Sequence, residues 1–369
     1  MLGVKKLVLY CKIISPMFMG VDGRSAELRP SGFKGMMRFW WRAMKSDKDV
    51  ERLRNEENKI FGGVNKDEGK SKINIRIYPI GRLDIENSLK KIYSLDFYYD
   101  KISDSIKGKD VGSGYLLYSV MNRQFIKDGC KFKIEVSSFY EEAFKNAVAS
   151  LWASIYLGGF GSRSRRGAGN ISVEGVDGDT YGIDFKLSIG KQDNIVSWLK
   201  ENLEKCLNIL NGAVSKDPNI AYSNISNLIL RISKSSFRDW KEALNDIGNR
   251  YFNFRLKNKH KILEVGVFGL PVLHRNKDKV IAVKEFASGR KVKINRRSSP
   301  IIFKLIYTQN MYFWLLIRLN GKFLEDGFLI TLDKQQENKP SSKIEPNYKI
   351  IDAFWESLKA YSEEYVLKG

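Results

Sequence analysis

Histidine is nearly absent from this sequence: 369 residues hold two, His260 and His274. An acid–base pair built on histidine is therefore barely possible, and a lone histidine is more often structural than catalytic. Cysteine is scarce as well. Cys11, Cys130 and Cys206 show no C-x-x-C spacing, which argues against a disulfide framework or a zinc knuckle and leaves them as small buried hydrophobes. No run approaches 18 uninterrupted apolar residues, so no membrane span is expected. The first residues lead into a strand pattern without a signal-peptide cleavage site, so a cytoplasmic protein is expected. There is no G-x-x-x-x-G-K-[ST] and no H-E-x-x-H. The acids of Asp177-Gly178-Asp179 and Glu325-Asp326-Gly327 read as turns rather than metal sites. No catalytic constellation, cofactor or metal site is expected.

Acids are also short relative to bases. Asp plus Glu number 42 against 63 Lys plus Arg, giving a net charge of +21 and a pI near 9.6. Such a balance favours a polyanionic partner, and nucleic acid is the default. An acidic membrane would call for a polybasic run beside an amphipathic or lipidated anchor, and neither is present. The length and an apolar content of 43% suit two domains with two cores.

What the chain does have is concentrated at Gly158–Asn170, where five glycines and three arginines fall within 13 residues. Glycine lets the chain take positive φ and bring backbone N–H groups close to a phosphate, while Arg163, Arg165 and Arg166 offer planar forks for its oxygens. Gly159, Gly161, Gly167 and Gly169 flank that basic core. The preceding segment 139–157 has acids in its first turn and apolar residues at 3.6-residue spacing, which predicts a buried helix; 170–174 alternates like a strand. Helix, loop, strand is the reverse of a Rossmann or P-loop fingerprint. The bland alternative is a solvated basic loop.

A second basic feature lies on a helix predicted over 32–44, capped by Ser31. Phe33, Met36, Met37, Trp40, Trp41 and Met44 form its apolar stripe, and Lys34, Arg38, Arg42 and Lys45 share a face. No acid of the helix interrupts that ridge, which reads as a phosphate-contacting face; a merely solvated face is the other reading. Arg24 and Arg29 sit in the loop before it. A third basic stretch, 283–299, carries Arg290, Arg296 and Arg297 and reads as a loop or a soluble linker.

Elsewhere, strands are expected at 5–14, 73–78, 131–137, 186–189, 226–233, 262–272, 300–307 and 311–319, and helices at 50–61, 194–210, 237–254 and 352–367. Residues 81–119 read as an insertion hanging from the sheet. The expected fold is α+β: two tandem ferredoxin-like (RRM-like, βαββαβ) domains with insertions, over 1–185 and 186–369.

Three stretches together resemble the RAMP superfamily of CRISPR-associated proteins, and within it the subunits of type III-B Cmr effector complexes. They are the Gly158–Asn170 loop; Ser15-Pro16-Met17-Phe18-Met19-Gly20 with Glu27 to Ala43; and Phe268-Gly269-Leu270-Pro271 with Arg296-Arg297-Ser298-Ser299-Pro300. The resemblance implies ferredoxin-like domains, crRNA and target single-stranded RNA as ligands, and other Cmr or RAMP subunits as partners. It also implies that RNA cleavage resides in other subunits. A RAMP-type processing endoribonuclease, with His274 as its one nominated base, and a general RNA-binding module of the translation apparatus are the rivals.

Overall fold

The structure is a computed structural model that describes residues 3–20, 25–63, 69–103, 105–211, 220–273, 279–294, 296–333 and 342–367. Its first half begins with β1 (Lys5–Ile13), where Leu7, Leu9, Cys11 and Ile13 are buried and Lys6 and Tyr10 are exposed, the period-2 pattern of a strand with one covered face. α1 (Pro30–Lys45) follows. It starts at Pro30, with Arg29 and not the expected Ser31 in the cap position, because proline suits the first helical residue, where an N–H would have no partner. Next come α2 (Val50–Phe61), whose Asp49 cap accepts from Arg52 N–H at 2.9 Å, β2 (Asn74–Ile80), the short α3 (Val111–Leu117), β3 (Lys131–Ser138), α4 (Glu141–Tyr156) and β4 (Ile171–Gly178). The strands pair antiparallel in the order β2-β3-β1-β4.

The second half comprises α5 (Gln192–Ile209), β5 (Asn224–Ser233), α6 (Trp240–Lys257), β6 (Lys279–Glu285), β7 (Lys291–Ile294), β8 (Ile301–Thr308), β9 (Met311–Asn320), β10 (Leu329–Asp333), α7 (Lys349–Glu356) and β11 (Ser362–Leu367). Its main sheet has the order β8-β9-β5-β11, again all antiparallel. A smaller sheet joins β6, β7, β10, Val272–Leu273 and Lys343–Ile344. Alternate residues of β8 point to opposite cores: Ile302 and Ile306 to the one shared with β1, α1, α4 and α5, Ile301, Phe303 and Leu305 to the one under α6 and α7. Burial on both faces explains why β8 and β9 are almost continuously apolar. The two halves are thus joined through shared core. Among the described residues no helix is long and apolar enough to cross a membrane.

Four element assignments are corrected. Residues 186–189 form no strand; their carbonyls at Leu187, Ser188 and Ile189 accept from the Thr308 hydroxyl and the Gln309 amide of the β8–β9 turn. The apolar run at 262–272 folds as a 3₁₀ turn, Glu264–Phe268, since a short buried run carries no periodicity that separates helix from strand. The expected terminal helix stops at Glu356, and 362–367 pairs with β5 instead. The basic stretch 283–299 is largely the β6–β7 hairpin, closed by Phe286 N–H donating to Arg290 O at 2.9 Å.

The insertion does not hang free. Gly112 and Ser113 N–H groups donate to Asn245 Oδ1 at 2.9 and 3.2 Å, and a Cβ on Gly112 would lie 2.2 Å from Asn245 O. α3 and α6 therefore cross backbone to backbone, which glycine alone permits.

Candidate nucleic-acid interface

The glycine loop closes the joint between the halves. After α4, Phe160 packs on Phe33 with ring centroids 4.3 Å apart, and its N–H donates to Gly169 O at 2.9 Å. Gly169 N–H donates to Pro16 O at 2.9 Å, Ser162 N–H to Phe18 O at 2.7 Å and Asn170 N–H to Ser15 Oγ at 3.0 Å. The loop is laced to the Ser15–Phe18 stretch, so these amides are already donated. Gly169 has φ 64°, and a Cβ there would lie 1.8 Å from Phe160 O. Gly161 and Gly167 likewise take positive φ against Phe18 O and Leu244, and Gly159 lies close to Ala168 O. The far side of the loop docks on β8: Phe303 N–H donates to Arg165 O at 3.1 Å, and Lys304 Nζ donates to Asn170 Oδ1 at 2.8 Å. Burial without a counter-charge pushes Lys304 down to about 7.

What the loop offers an anion is its side chains. Arg163, with φ 60°, lies over Tyr118 at 5.0 Å and donates through Nε to Ser119 Oγ at 2.6 Å. Arg165 lies over Phe39 at 4.8 Å and donates to Ser299 O. Arg166 sits against Tyr251 and Phe303 and donates through Nη2 to Phe268 O at 2.8 Å, while its buried Nη1 finds no acceptor among the described residues. Burial, then the neighbouring Arg166 and Arg297, pull Arg165 down to about 10; it remains charged at neutral pH. Rings and carbonyls orient these guanidinium groups without cancelling their charge.

They open onto a cleft of about 830 Å³, which also holds Arg255, Arg297, Tyr115, Phe268 and the Leu270–Leu273 segment. A smaller hollow of about 290 Å³ is lined by Arg42, Arg296 and Tyr222, and it shares Phe39, Arg165, Arg297 and Ser298 with the first. Together they form one groove with seven arginines among the described residues. Among the described residues, no Asp or Glu lines either part.

The α1 ridge is different. Glu57 of α2, almost fully buried, pairs with Arg38 and takes Arg42 Nη1 on both oxygens at 2.6 and 2.7 Å. Arg38 also donates to Gly62 O at 2.9 Å and Asn58 Oδ1 at 3.1 Å. Lys34 and Arg38 face a separate hollow of about 590 Å³ with Lys70; burial and the nearby Arg38 lower the Lys34 ammonium. Arg42 alone of the ridge reaches the groove. Arg29 pairs with Glu27 at 3.3 Å. Arg290 lies over Phe286 at the tip of the β6–β7 hairpin. Arg24 and His274 lie outside the described residues. Trp40 and Trp41 are core, with Trp41 Nε1 donating to Asn146 Oδ1 at 2.7 Å.

Sequence reasoning missed Arg255 and the rings that back the arginines. Only the i, i+4 spacing of Tyr251 and Arg255, which places the guanidinium 3.0 Å from the Tyr251 hydroxyl, hinted at them. Among the described residues, no cluster of three or more His, Cys, Asp or Glu stands ready for a metal ion.

Residues 10–172 match the model of the RAMP superfamily. The CRISPR system Cmr subunit Cmr1-2 of Pyrococcus furiosus is 35% identical over 173 residues, covering 44% of this chain and 91% of that protein. The chain belongs to the RAMP superfamily. Within it, the chain resembles the Cmr1 subunit of type III-B Cmr complexes. The crystal structure of apo Cmr1 from Pyrococcus furiosus superposes with a TM-score of 0.65 at 18% identity over 99% of both chains. A chain of the type III-B Cmr-beta complex, bound to cognate target RNA and AMPPnP in the presence of ssDNA, gives 0.58 at 14% identity, over 97% of this chain and 99% of that one. These two likenesses establish a shared fold along nearly the whole length.

Proposed function

We propose that this chain is a non-catalytic, RNA-binding subunit of a type III-B Cmr effector complex, acting in the cytoplasm beside other Cmr subunits. In this reading crRNA or target single-stranded RNA lies along the arginine groove. One observation carries it: Arg42, Arg163, Arg165, Arg166, Arg255, Arg296 and Arg297 converge on one groove lined by no carboxylate among the described residues. Gathering like charges in partly buried positions costs stability unless an anion offsets it. Each half is read as a ferredoxin-like unit, 1–185 and 186–369, a reading supported by the same strand order in β2-β3-β1-β4 and β8-β9-β5-β11. Cleavage is assigned to other subunits, since among the described residues the groove holds no nucleophile paired with a base.

The test is binding of the full chain to single-stranded RNA across a salt series. Each phosphate held should contribute about −0.7 to the slope of log K against log salt, so a slope steeper than about −2 is expected. An affinity that does not change with salt overturns the reading. RNA cut by the purified chain would move the protein to the processing-enzyme class.

A further inference from the structure

Resting on that reading of the groove, we infer that its wide part receives an unpaired base as well as phosphates, so that the chain selects RNA as a single strand rather than as a polyanion. The lining is of two kinds. One is cationic, Arg163, Arg165 and Arg166. The other is apolar and wet: Leu273 is 60% and Tyr118 53% exposed, and both line the same cleft as the arginines. Phosphates alone would leave those surfaces in water. A sugar and base carried on the same phosphate would cover them, and about 830 Å³ lies within the range of pockets that enclose a ligand of nucleotide size, roughly 300–1,000 Å³.

Pairing state follows from geometry. A duplex buries both faces of every internal base, whereas an unpaired base has faces free to stack on an aromatic ring or a guanidinium plane. Arg163, its guanidinium carbon 5.0 Å from the centroid of the Tyr118 ring and its Nε fixed by Ser119 Oγ, makes such a platform with that ring. Arg166 stands in the same lining, its buried Nη1 without an acceptor among the described residues. Tyr118 is an exposed residue outside both cores, so removing its ring opens no cavity in them.

The experiment compares three ligands of equal length at one salt concentration: oligouridylate, an abasic ribose-phosphate strand of the same charge, and a fully paired RNA duplex. Oligouridylate should bind the full chain at least about fivefold more tightly than the abasic strand, the equivalent of one stacked base. The duplex should bind no better than the abasic strand. Tyr118→Ala should lower the affinity for oligouridylate more than that for the abasic strand, so that the difference between them collapses, and Tyr118→Phe should preserve the difference. Equal affinity of the parent for both strands, with a normal salt slope, overturns the base pocket and leaves the RNA groove standing. Failure of every ligand to bind overturns both.

Discussion

The α1 ridge and the groove draw on the same chemistry and end up opposite in character. On the ridge, Arg38 and Arg42 converge on the carboxylate of Glu57, so one buried acid balances two cations. In the groove, Arg165 and Arg166 donate to the carbonyls of Ser299 and Phe268, and Arg163 to a hydroxyl. A neutral acceptor fixes where a guanidinium points yet leaves its full charge to act outward; a carboxylate fixes it and cancels it. An arginine available to an outside anion is therefore defined by the charge of its partner, not by its exposure. Arg42 is the exception that joins the two regions, bound to Glu57 and still facing Arg165 across the smaller hollow.

The sharpest way to break this contrast is to neutralise each region in turn. Arg163→Ala, Arg165→Ala and Arg297→Ala combined should lower the affinity for single-stranded RNA roughly 100-fold, at about 1 kcal/mol per contact after solvent screening. The salt slope should shallow by about 2. Lys34→Ala with Arg38→Ala should cost less than about threefold. Equal losses from the two sets, measured by filter binding on proteins with native circular dichroism, would erase the distinction.

Glu57 tests it from the other side. Glu57→Gln removes the carboxylate but keeps the side-chain volume, and it should cost about 2 kcal/mol in denaturant unfolding. That is below the usual figure for a broken buried pair, because both arginines retain access to water. Affinity for RNA at low salt should rise about threefold as the ridge regains its charge. Unchanged affinity would mean that RNA never approaches α1.

Glu57 also shows what the sequence withholds. The spacing of Lys34, Arg38, Arg42 and Lys45 makes a basic face legible, but the acid that faces it is on the next helix, and only folding brings the two together. The glycines are ambiguous for a similar reason. A glycine required because a Cβ would strike Phe160 O, as at Gly169, is written the same way as one that cradles a ligand. Alternation made β1 readable, and long apolar runs marked β8 and β9. The sequence reads 352–367 as one helix, although the exposed Glu363 and Glu364 and the pairing of Ser362–Leu367 to β5 reflect an edge strand whose partner lies some 130 residues back in the chain. Arg255 and its rings were unreadable because α6 meets the glycine loop only through tertiary packing.

Lys304, which β8 presents to Asn170 at the end of the glycine loop, separates folding from binding. Its folded value is about 7, against about 10.4 for an ordinary lysine. Between those values the unfolded chain holds a proton that the folded chain has released, so stability rises with pH over that window and levels off above it. Below it the folded protein carries a buried ammonium. Lys304→Met should therefore melt higher than the parent at pH 6, on the order of 5 °C, with the gap closing toward pH 10. RNA affinity at neutral pH should not change, because Lys304 faces Asn170 and not the groove. A constant gap at every pH would show that the side chain is charged, or neutral, throughout.

The smallest expected effect is at Gly35, and it bears on the comparison more finely than the others. Gly35 lies on the exposed side of α1 beside Lys34, and a Cβ built on it meets nothing within 4 Å. Its backbone is helical, so alanine enters without strain and lowers the entropy lost on folding. Gly35→Ala should stabilise the protein by about 0.5–1 kcal/mol. The same methyl group is a probe of contact. If α1 is neutralised by Glu57 and RNA keeps to the groove, affinity and salt slope should match the parent within error. A several-fold loss of affinity in a protein that has become more stable would place an RNA backbone directly against the helix. In that case Glu57 would serve to orient Arg38 toward a phosphate, and the ridge would belong to the interface after all.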